Sequence, residues 1–197
     1  MTSIWALALV MVAKPASFDA LKADTSELDR PGNAVSAIIG ICNQEDPVDR
    51  MHCQENTAEE SKKHRGKTYY INLGANHQEL LEFEGIRGSK ARFLWVPIYD
   101  PGNGYALTAK KPNKVNKDGW PVLKKEVIDG ALKGDVAASD LRRLARLGQV
   151  NIEIIGEFKK PWALRHGGDK VYGVHFKLKG LRLSQARSGD TILERLY

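Results

Sequence analysis

No stretch of these 197 residues is long and apolar enough to cross a bilayer as a helix, which takes about 20 residues. The longest apolar run, Ile4–Ala13 (IWALALVMVA), has the length of a signal-peptide core but no positive leader in front of it. It is therefore expected to pack on the body of a cytoplasmic protein, with secretion as the alternative, and no membrane partner is expected. The chain has two cysteines, Cys42 and Cys53. With His52 and His64 they lack the short paired spacing of structural zinc sites, so no metal is expected. Secretion would let them pair, and a reducing cytoplasm would leave two thiols. There is no glycine-rich phosphate loop ahead of a helix and no nucleophile motif, so neither a nucleotide hydrolase nor an acyl-transfer enzyme is indicated. No residue set is put forward as catalytic and no cofactor is expected. Internal repeats and low-complexity tracts are also missing.

What is present is charge, unevenly spread. The net charge of +6 conceals an acidic segment, residues 1–60, with 4 Lys/Arg against 10 Asp/Glu, and a basic body, residues 61–197, with 26 against 14. A body at +12 attracts polyanions, and the −6 extension can shield it from them. The chain is divided accordingly into an acidic N-terminal extension (1–60) and a basic β-barrel domain (61–197).

Ala91–Tyr99 (ARFLWVPIY) is apolar at both alternating sets of positions. A strand sends successive side chains to opposite faces. Leu94, Val96 and Ile98 are expected to anchor the core, and Phe93, Trp95 and Tyr99 to line a binding face; the alternative is a strand buried on both faces, which also gives a continuous apolar run. Before it, helix signals run through residues 14–33, with Ser17 as N-cap and Pro31-Gly32 as a stop. Ala34–Cys42 reads as a strand, Asn43–Lys67 as a long polar loop, Thr68–Leu73 and Leu80–Phe83 as strands. Asp100–Gly104 is a turn and Tyr105–Ala109 its return strand. Lys110–Gly119 is an exposed basic loop. Ser139–Leu147 is a helix, capped by Ser139 and closed at Gly148, that buries Leu141, Leu144 and Ala145. Two long strands follow, Val150–Phe158 and Tyr172–Leu183, joined by the loop Pro161–Lys170. In the second strand the apolar phase flips at Gly180, as a bulge would make it do.

Several strands, one short helix and two final long strands is an order that resembles the OB-fold. In that fold a helix sits between the third and fourth strands of a small barrel. The last strand, Tyr172–Ser184 (YGVHFKLKGLRLS), is similar to that of phage- and plasmid-type single-stranded DNA-binding proteins, a resemblance covering residues 67–184. It implies a mainly β protein with α elements that binds single-stranded nucleic acid, more readily DNA than RNA, with little sequence preference. The backbone contacts would come from Arg92, Lys110, Lys111, Lys114, Lys117, Arg165, Lys177 and Lys179. The bases would stack on Phe93, Trp95, Tyr99 and Trp162. A homo-oligomer is compatible with this reading. Two alternatives stand beside it. Glu157-Phe158-Lys159 matches half of a Mg²⁺-dependent nuclease site, with Asp135 or Asp140 as the missing carboxylate. A viral structural or partner-binding β protein would also be basic with an acidic arm.

Overall fold

The computed structural model describes residues 17–40, 42, 45–75, 81–88, 90–95, 99–100, 105–117, 119, 121–133, 136–166 and 169–197. Along them run α1 (Phe18–Ala23), β1 (Ser26–Glu27), α2 (Pro31–Ile39), α3 (Pro47–His64), β2 (Thr68–Gly74), β3 (Leu81–Arg87), β4 (Lys90–Trp95) and β5 (Tyr99–Asp100). The chain continues through β6 (Tyr105–Thr108), β7 (Glu126–Ala131), α4 (Ala138–Arg146), β8 (Val150–His166), β9 (Asp169–Gln185) and β10 (Thr191–Leu196). The protein is mainly β, 47% strand and 27% helix among the described residues, and its sheet curls into a half-barrel.

The spine is the β8–β9 hairpin, paired antiparallel from Val150↔Gln185 to His166↔Asp169. The expected loop Pro161–Lys170 is instead mostly strand: alternation carries on through Trp162 and Leu164, and Gly167 and Gly168 lie outside the described residues. β2 pairs with the free edge of β8, and β1 lies parallel to β2. The other edge of β9 carries β6 in parallel and then β10 antiparallel. A second sheet, β3-β4-β7, meets the first through a bridge between Leu132 and Leu193. In the hairpin, Ile155 opposes Gly180 but Gly156 opposes Leu178. Lys179 is left over, a bulge beside Gly180 that accounts for the phase flip in the sequence.

Both sheets send side chains into one core, and this defines the inner face of the half-barrel. Here the expectation for the aromatic strand is reversed. Ala91, Phe93 and Trp95 point inward and are buried, while Arg92 and Leu94 are only half-buried on the other side. Phe93 stacks at 5.2 Å on Phe83 of the neighbouring strand. A curved sheet has a wide interior, and rings fill it better than the smaller aliphatics do. Val96, Pro97 and Ile98, and the side chain of Tyr99, lie outside the described residues.

Two segments expected to be strand and loop are helices. In α2, Pro31 opens the first turn and Gly40, at φ 70°, closes it in the left-handed region. Ala34, Val35 and Ile38 then share one face, which is buried in the main core. Tertiary burial outweighs the β preference of Val35 and Ile38. In α3, the Asp46 side chain accepts from the backbone N–H groups of Val48 and Asp49, and Lys62, Lys63 and His64 sit at the C-terminal end of the dipole. Only Ser61 of α3 is buried; its polar composition reads as loop because the helix has no core face. A disulfide joins Cys42 to Cys53 and so ties α3 to the end of α2. α4 buries Leu141, Leu144 and Ala145 as expected, but its N-cap position is Ala137 rather than Ser139. β10 has no counterpart in the sequence reading.

α1 packs on the outer face, where Phe18 meets Tyr70 and Ile155. Ser17 caps it, accepting from the Ala20 N–H at 3.1 Å. A Cβ on Gly180 would stand 3.1 Å from Leu21 and 3.2 Å from Phe18, so a side chain there would have to push α1 outward by a few tenths of an ångström. Charges surround the contact. Glu194 accepts from the Phe18 N–H at 2.8 Å and pairs with Lys133 at 3.1 Å; Arg182 pairs with Asp19 at 2.8 Å and covers the Phe18 ring at 4.4 Å. The Tyr70 hydroxyl donates to Glu153 at 2.6 Å, and burial, ahead of that bond, pushes its pKa far up.

Candidate nucleic-acid interface

Two strand ends create the site. β6 stops at Thr108, opposite His175, and β10 stops at Leu196, opposite Gly180. Between them, residues 176–179 of β9 have no neighbouring strand along that edge among the described residues. One hydrogen bond, from Tyr197 N–H to the Lys179 carbonyl at 3.0 Å, closes its far end. Three depressions meet here at Ala109. One, of about 450 Å³, lies between Lys110-Lys111 and Lys124-Lys125. A second, of about 270 Å³, has Phe176, Leu178 and Tyr197 for its floor and Lys159, His175 and Lys177 at its rim. The third, of about 570 Å³, carries Arg65, Lys159 and Lys160.

Seven lysines and Arg65 thus face one cleft, with Glu126 and Glu157 as the carboxylates among them. Lys125 is held by Glu82 at 2.5 Å, and Lys159 by Glu157. Lys111, Lys124, Lys160 and Lys177 form no ion pair with a described residue. Burial works against the Glu157 charge, but the Lys159 hydrogen bond and the charges of Lys159 and Lys179 outweigh it and hold its pKa below the ordinary value. Glu126 goes the other way: burial raises its pKa, against the pull of Lys110. The cleft is therefore cationic at neutral pH, and its carboxylates only partly offset the lysines.

Of the residues expected to bind nucleic acid, Lys110, Lys111 and Lys177 are brought together in this cleft. Lys114 and Lys117 are exposed beyond its rim. Arg165 is exposed toward the tip of the β8–β9 hairpin. Arg92 is occupied by Asp129 at 2.9 Å and Glu84 at 3.7 Å. Lys179 donates to Thr68 Oγ1 at 2.6 Å. The aromatic set is corrected more severely. Phe93 and Trp95 are core residues, and Trp162 is buried, with its indole N–H on Thr108 Oγ1 at 3.0 Å and its ring filling the space over Gly173. None of these three presents a face to solvent.

The residues missed, Lys124, Lys125, Lys160, Arg65, His175 and Tyr197, together with Lys159, singled out only for the nuclease alternative, left one trace. The cleft gathers three Lys-Lys pairs, at 110–111 just after β6, at 124–125 just before β7 and at 159–160 within β8. As for the nuclease alternative, Glu157 is engaged by Lys159 and Lys179, and Asp140 sits on α4 beside Arg143 at 3.6 Å. Asp135 lies outside the described residues. Among the described residues no three His, Cys, Asp or Glu side chains cluster in a way that could hold a metal ion.

The chain belongs to a family of unknown function (DUF6066), which matches residues 2–196. No curated protein and no solved structure matches it.

Proposed function

We propose that the protein binds single-stranded nucleic acid with little sequence specificity, holding the backbone by charge in the cleft at Ala109. The observation that carries this reading is that three Lys-Lys pairs from separate parts of the chain line depressions that adjoin at Ala109, beside the gap in the sheet edge. Lysines in such a groove displace the condensed counterions of the strand, so affinity comes from the backbone and not from base identity. The reading replaces the β4 aromatics as the contact surface. It keeps an OB-like barrel as the working description of how the curved sheet presents its groove. The Cys42–Cys53 disulfide supports an oxidising compartment over the cytoplasm, which makes extracellular nucleic acid the natural ligand.

The test is a fluorescence-anisotropy titration with single-stranded DNA, single-stranded RNA and duplex DNA at two salt concentrations. If about five lysines neutralise phosphates, the slope of log affinity against log salt is about −3.5 for a single strand, roughly a hundredfold between 50 and 200 mM. Lys111→Gln and Lys124→Gln each flatten that slope by about 0.7, whereas Arg142→Gln on the exposed side of α4 leaves it unchanged. Absence of binding at low salt, or binding indifferent to salt, refutes the proposal.

A further inference from the structure

The cleft that holds a backbone also contains a ring placed to take a base. Among the described residues Tyr197 is the one aromatic side chain that is largely exposed, at 45%, and it stands on the floor of the lysine-rimmed cleft. We propose that Tyr197 is the stacking platform of this site and that the cleft seats one nucleobase at a time; this rests on the nucleic-acid reading above and assigns it a contact that charge alone does not supply.

The ring is held in place before any ligand arrives. Its backbone N–H is bonded to the Lys179 carbonyl, and the Arg195 guanidinium lies over the ring at 4.8 Å from its centroid. Arg195 is itself fixed, donating to the Asp129 carbonyl at 3.2 Å. A ring anchored this way loses little freedom when a base stacks on it, which favours binding. Phe176 and Leu178 provide the apolar floor, and Lys159 and Lys177 line the same depression.

A second observation points to the same place. The Trp95 indole N–H is buried and has no partner among the described residues. It borders a crevice of about 10 Å³ lined also by Glu126, Phe176 and Leu178, which line the depression that holds Tyr197 as well. That is room for about one water. Through such a water the unspent donor can reach an acceptor on a seated base. Every base has acceptors at its edge, so the arrangement does not select strongly among them.

The experiment compares a short oligothymidylate with an abasic strand of equal length and charge, titrated at low salt into the full chain and into Tyr197→Phe and Tyr197→Ala. The wild type should bind the base-bearing strand about tenfold more tightly than the abasic one, since stacking contributes about 1–3 kcal/mol per base. Tyr197→Phe should keep that preference, and Tyr197→Ala should abolish it while leaving abasic binding and the melting temperature unchanged. Equal affinity of the wild type for the two strands overturns the platform and leaves backbone binding standing. An equal loss on both strands in Tyr197→Ala also overturns it. If the wild type binds neither strand, the nucleic-acid reading itself falls, and the platform with it.

Discussion

Replacing Trp95 with alanine removes a ring that is 4% exposed and packed in the main core. Trp95 lies in the central strand of the smaller sheet, opposite Leu81 on one side and Glu126 on the other. Emptying such a site costs about 3–5 kcal/mol, because the surroundings collapse only in part. Some of that is returned, since the unpartnered indole N–H leaves with the ring and a buried unsatisfied donor costs about 1–3 kcal/mol. The net loss is then about 2 kcal/mol, a fall in Tm of about 4–8 °C for a chain of this size. Leu94→Ala is the control: its side chain points away from the core and is only half-buried, so the loss should stay near or below about 1 kcal/mol. Trp95→Phe keeps an aromatic ring and discards the orphan donor, and should melt close to wild type. Urea titration and calorimetry on the three variants measure the contrast. If Trp95→Ala melts with the wild type, or if Leu94→Ala costs as much as Trp95→Ala, the assignment of the inner face is wrong.

Acidification should loosen α1. Burial opposes the Glu194 charge, but the Phe18 N–H, Lys133 and Arg182 hold its pKa below the ordinary carboxylate value, and the Arg182 hydrogen bond lowers that of Asp19. A folded pKa below the unfolded one contributes stability that is present above the unfolded value, near 4.5, and lost as pH falls through the folded value. Tm should therefore be level from pH 7 to about 5 and decline below it, and Glu194→Gln should reduce the decline; an unaltered profile counts against the clamp. Deleting residues 1–60 should prevent cooperative folding, because α2 takes Ala34, Val35 and Ile38 out of the core with it. Loss of near-ultraviolet dichroism and gain of dye binding would show this, whereas a sharp melt of the remaining 61–197 would refute it.

The long hairpin, the buried face of α4 and the bulge at Gly180 were legible because each is written in local alternation or spacing. The alternating sets of Val150–Phe158 and Tyr172–Leu183 face the way their polarity says. The β4 strand was misread although its polarity marks the faces: Lys90 and Arg92 alternate with the buried Ala91, Phe93 and Trp95, but the apolar run that continues from Leu94 outweighed them in the reading. α2 and α3 were misread for opposite reasons. Val35 and Ile38 favour strand locally but are recruited by a core formed from distant segments, whereas α3 has no core face to give it a helical period. For the site, Lys110, Lys111 and Lys177 could be picked out by charge. Their meeting with Lys124, Lys159 and Tyr197 depends on where β6 and β10 end, and no local pattern encodes that.

The manner in which those two strands end bears on how the cleft can change. Its width is the interval along β9 between the partner of Thr108 and the partner of Leu196, so it is a property of main-chain register and not of any lining side chain. Substitutions at the rim can exchange one ligand charge for another without altering the shape. Lengthening β10 or β6 by a residue or two would instead knit the sheet edge shut. The cleft is thus a mount of fixed gauge with replaceable fittings, and members of this family that differ at the lysines would be expected to differ in what they hold rather than in whether they have a place to hold it.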